Sequence, residues 1–93
     1  KMKTYRFTVY FRGIDYMSEE MAEALYEAGC DDCSPGSHGG QAYADFARQA
    51  DSLEAAVASA AAHVRTAGYG IDHVQIDDAD LAELSAVGHA ANG

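Results

Sequence analysis

Tryptophan is absent from the chain and proline occurs once, at Pro35. Proline interrupts helix interiors and central strands, so its scarcity leaves long stretches free to form regular structure. Cysteine is almost as rare, and Cys30 and Cys33, the two present, cannot supply the disulfide framework of a small secreted scaffold. No apolar run approaches the roughly 20 residues of a membrane-spanning helix, and the first ten residues alternate instead of forming a signal-peptide core. No membrane contact and a cytoplasmic location are therefore expected. Positive charge is also short: six Lys and Arg against fifteen Asp and Glu give a formal net charge of −9. That balance repels phosphate backbones and anionic lipid, so direct nucleic-acid binding by this chain is not expected.

What is present suits one small core. Of the 93 residues 48% are hydrophobic, enough to offset chain entropy in one domain but not in two. From Lys3 to Arg12 apolar and polar residues alternate, with Tyr5, Phe7, Val9 and Phe11 on one side, which is the period of a half-buried strand. After the turn from Gly13 to Met17, Ser18 is placed to cap a helix with Glu19 and Glu20 in its first turn. Met21, Ala24, Leu25 and Ala28 continue at helical spacing until Gly29. Asp31 to Pro35 reads as a short second strand, Gly36 to Gly40 as a turn, and Gln41 to Ala47 as a third strand with Ala42, Ala44 and Phe46 on one face. Asp51 or Ser52 caps a second helix with an apolar stripe of Leu53, Ala56, Val57, Ala60 and Val64, ended by Gly68. Ile71 to Asp77 forms a last strand.

The order strand, helix, strand, strand, helix, strand predicts an α+β, ferredoxin-like βαββαβ fold. Right-handed crossovers put a four-stranded antiparallel sheet under two helices on one face. Residues 2–78 make this domain, and residues 79–93 a short helical extension with a mobile tail. The sheet face without helices is expected to carry Arg6, Thr8, Tyr10, Tyr43, Asp45, His73 and Gln75. Of these, Arg6, Tyr10, Tyr43 and His73 are the candidate interaction face.

Cys30 and Cys33 stand two residues apart, a spacing that can bite one zinc ion, and His38 adds a third candidate ligand. His63, His73 or His89 would have to complete a tetrahedral site. Cys30 follows a helix C-terminus and is flanked by Asp31 and Asp32, where dipole and charge both disfavour the thiolate that redox or metal chemistry needs. The alternative to a metal site is a small buried Cys30 with Cys33 packed on a strand. The Asp77, Asp78 and Asp80 cluster lacks the glycine and closing glutamate of a calcium loop. The glycines from Gly36 to Gly40 open no helix that could cradle a phosphate. No spacing nominates a nucleophile with an oriented base, so the chain is expected to be no enzyme and to hold no cofactor unless zinc at the Cys30, Cys33 and His38 set.

Several phrases, Met2 to Thr8, Ala28 to Asp32, Asp45 to Ser52 and the alanine-rich helix through Val64 and Arg65, resemble the N-terminal domain of a family of small bacterial helix-turn-helix DNA-binding proteins. In that family the last strand leads into the DNA-reading element, and Asp80 to Ser85 looks like the first turns of such a helix. The preferred reading is a non-enzymatic regulatory or assembly domain related to those regulators, a homo-oligomer or partner-binding chain that associates through a strand edge or the open sheet face and does not by itself read DNA specifically. The alternative reading is a small metal- or ligand-binding module using Cys30, Cys33 and His38.

Overall fold

Strict alternation in the first strand and a run of alanines in the second helix determine how the layers meet. The computed structural model describes residues 2–76. They run β1 (Lys3–Phe11), α1 (Glu19–Glu27), β2 (Cys33–His38), β3 (Gln41–Ala50), α2 (Leu53–Thr66) and β4 (Ile71–Ile76). The strands form one antiparallel sheet in the order β2-β3-β1-β4, so the fold is α+β and ferredoxin-like, as the sequence predicts. Asp77, the helical stretch expected from residue 79, the tail and His89 lie outside the described residues.

The sheet buries one face. Tyr5, Phe7, Val9 and Phe11 of β1 and Ala42, Ala44, Phe46 and Ala50 of β3 join Leu25 of α1 and Leu53, Ala56, Ala60 and Val64 of α2 in one core. Phe7 and Phe46 are cross-strand partners whose rings stack with centroids 5.3 Å apart. Ala42 and Ala44 on the sheet, with Ala56 and Ala60 on the helix, are fully buried, because small side chains let α2 approach the strands closely. Ser18 and Ser52 cap the helices, accepting hydrogen bonds from the backbone N–H groups of Met21 and Ala55.

The β2–β3 hairpin departs from expectation. β2 begins at Cys33 rather than Asp31 and continues through Gly36 to His38, and the turn shrinks to Gly39 and Gly40. Both have positive φ, 58° and 77°, as a two-residue turn that follows sheet twist requires. The glycine cluster suggested a longer loop, but only these two positions need the left-handed conformation. β3 likewise extends three residues past Ala47, since Gln49 and Ala50 pair with Thr4 and Lys3 of β1.

Candidate functional site

Directly opposed residues of an antiparallel sheet share a face. Two cross-strand rows therefore define the surface opposite the helices: Ser34, Asp45, Thr8 and Gln75 in one, and Gly36, Tyr43, Tyr10 and His73 in the next. Arg6 lies beyond them, paired with Ala47, and is exposed. All seven residues that the alternation assigned to this face are on it. Of the four named as an interaction surface, Tyr43, Tyr10 and His73 share one row, and Arg6 stands apart from them across the row of Thr8 and Asp45.

The band is ordered from within. Tyr10 leans toward β4, stacking on His73 with centroids 4.4 Å apart and donating its hydroxyl to Gln75 Oε1 at 3.1 Å. His73 Nδ1 lies 2.7 Å from the Asp72 carboxylate, which holds that acid below the usual carboxylate range. Tyr43 leans the opposite way, across β2. A Cβ on Gly36 would stand 2.7 Å from its hydroxyl oxygen, so only glycine leaves room there for the ring as it lies. Tyr10 and Tyr43 are thus splayed, with centroids 6.2 Å apart and rings tilted by 54°. Beside Tyr10 an open groove of about 450 Å³ runs over Arg6, Thr8, Ser34, Asp45, Ala47 and Gln75. Thr8 donates its hydroxyl to Asp45 and fixes that carboxylate in the groove floor. One face of the Tyr10 ring is occupied by His73.

The proposed metal ligands do not converge. Cys33 donates its thiol to the carbonyl oxygen of Cys30 at 3.1 Å, so these two are neighbours. His38 sits at the far end of β2, about 16 Å away at the rise of a strand. Among the described residues no three His, Cys, Asp or Glu side chains are arranged to hold a metal ion. Burial pushes the Cys30 thiol up and carries Cys33 to about 11, with the neighbouring acids adding to both. Both are free thiols, Cys30 in the core and Cys33 half-buried at the start of β2.

The covered face of the sheet contains a charge that sequence reading did not single out. Arg48 is 6% exposed, on the same side of β3 as Phe46 and Ala50. Its Nε and one terminal nitrogen each donate to Asp32 at 2.8 Å, and the same terminal nitrogen donates to Gly29 O at 3.0 Å. The other terminal nitrogen reaches Ser59 Oγ at 3.2 Å and His63 Nδ1 at 3.0 Å. These bonds use all five N–H donors of a guanidinium, which is how so buried a cation is accommodated. His63 must accept through Nδ1, because the guanidinium can only donate. Hydrogen bonding from Arg48 holds the Asp32 carboxyl below its ordinary range. The knot ties β3 to the end of α1, the loop before β2 and the middle of α2. Its one trace in the sequence is a cation at an inward position of an otherwise apolar alternation, Ala44-Asp45-Phe46-Ala47-Arg48-Gln49-Ala50.

Compared with protein-family models, with curated proteins and with solved structures, the chain finds no match.

Proposed function

We propose that the chain is a non-enzymatic regulatory or assembly domain, of the kind implied by its resemblance to helix-turn-helix regulators, and that it works through protein–protein association at the open face of its sheet. The observation that carries this reading is the aromatic band of Tyr43, Tyr10 and His73, left on the side of the sheet that neither helix covers. Tyrosines with an apolar body and a polar tip are the residues that protein contacts favour, since they bury area with few rotors to immobilise. The adjoining Thr8, Asp45, Ser34 and Gln75 supply the polar rim that gives such a contact its register.

The test contrasts two tyrosines. Tyr43 lies on the open face, and Tyr26 is 66% exposed on α1. A photo-cross-linking phenylalanine analogue placed at each position, in the cells that encode the protein, is expected to give protein adducts from position 43 and few from position 26. Adducts confined to position 26 would overturn the reading.

A further inference from the structure

The net charge of −9 is unevenly distributed, and the distribution selects the partner. On the helices five exposed carboxylates, Glu19, Glu20, Glu23, Glu27 and Glu54, stand against one arginine, Arg65. The open face of the sheet is balanced: Arg6 and Asp45 stand on it, and at its end are Arg12, which donates to Ile71 O, and Asp72, which is bonded by His73 and Gln41 of that face, all four exposed. A copy approaching through its helices would bring two rows of glutamates together. A copy approaching through the sheet meets a face of zero formal charge whose cations and anions are complementary to themselves. The helical glutamates then lie behind the sheet by about the 10 Å width of a helix, beyond the roughly 8 Å Debye length of physiological salt.

We propose that the occupant of the open face is a second copy of this chain, docked sheet to sheet, with the tyrosine band of each against the other and Arg6 of one copy set toward Asp45 of its partner. This rests on the reading of the open face as a protein contact and adds which protein makes it. The oppositely charged groups lie on one surface, as an isologous two-fold contact requires, because every residue there must suit both its own copy and the other. Four strands about 4.8 Å apart and on average about 26 Å long offer about 500 Å² per copy, below the roughly 800 Å² of a standard interface, so the dimer is expected to dissociate in the micromolar range.

The experiment is sedimentation of the whole chain from 1 to 200 µM, about the range such an interface implies, with Arg6→Glu and Asp45→Arg variants alone and mixed. The first variant makes the face acidic and the second makes it basic. The wild type is expected to move from 9.9 kDa to twice that mass with concentration. Each variant alone is expected to associate at least tenfold more weakly, and the equimolar mixture to regain the dimer. Thermal melting of each variant establishes that it is folded, and Tyr10→Ser serves as an uncharged check that is expected to weaken association likewise. A wild type that stays monomeric, or a mixture that recovers nothing, would overturn the second copy as occupant. So would position-43 adducts that map to a different protein or to residues 77–93 of the same molecule. A different protein would leave the association reading standing, whereas adducts confined to position 26 would remove both.

Discussion

Even-numbered and odd-numbered residues of β3 occupy opposite worlds. Ala42, Ala44, Phe46, Arg48 and Ala50 lie buried beneath the helices, while Tyr43, Asp45, Ala47 and Gln49 face outward. The covered side holds the fold together through apolar packing plus one satisfied cation. The outward side spends its polar and aromatic groups on each other, in short cross-strand contacts such as Thr8 with Asp45 and Tyr10 with Gln75. Neighbouring residues in the chain thus serve stability and recognition separately, and substitutions on the two sides should separate as cleanly.

The largest effect belongs to the covered side. Phe46→Ala removes a ring stacked on Phe7 and is expected to cost about 4 kcal/mol, read from urea denaturation. Next comes Arg48→Met, which keeps most of the volume but leaves the Asp32 carboxylate without its cation and the Gly29 carbonyl without that donor. Breaking a buried pair by removing one partner is expected to cost about 3 kcal/mol. Arg48→Lys keeps the charge but cannot fill five acceptor positions, so it should recover only part of this. If Arg48→Met were as stable as the wild type, the knot would be incidental to the fold.

The fold was legible because alternation and caps are local signals: Tyr5, Phe7, Val9 and Phe11 announce the buried side of β1, and the same parity assigns all seven open-face residues. Arg48 was not legible as a structural centre. A cation at an inward position is stable only if acceptors arrive from elsewhere, and these come from Gly29, Asp32, Ser59 and His63, brought together by the tertiary fold. The Cys30, Cys33 and His38 set misled for the opposite reason. Closeness in sequence suggested one turn, but Ser34 to His38 pair with β3 as extended strand and carry the histidine away.

A smaller effect separates the sides by pH. Asp32 is held below its ordinary range by Arg48, so its contribution is present above the unfolded value of about 3.9 and is lost as pH falls through the lower folded value. Asp32→Asn is expected to be about 2 kcal/mol less stable at neutral pH, the cost of a charge-assisted bond, and to lose less on acidification. The two stability curves should therefore approach each other from about pH 4 downward. Curves that stay parallel through that window would mean that Arg48 gains nothing from the ionised carboxylate.

The smallest expected loss of stability sharpens the comparison most. Tyr43→Ser removes a half-buried ring that rests over Gly36, and its hydrogen-bonded neighbours Thr8 and Asp45 keep each other. Its cost to folding is expected to be about 1 kcal/mol, the burial of part of one side chain. Association should suffer out of proportion, because the ring is one of the three that make the aromatic band on the open face, where a partner excludes water. Phe46→Ala, three residues along the same strand, should show the reverse: a large loss of stability and, under conditions where it remains folded, near-normal association. If both variants lost stability and association together, recognition would depend on the rigidity of the whole sheet rather than on the face that Tyr43 occupies.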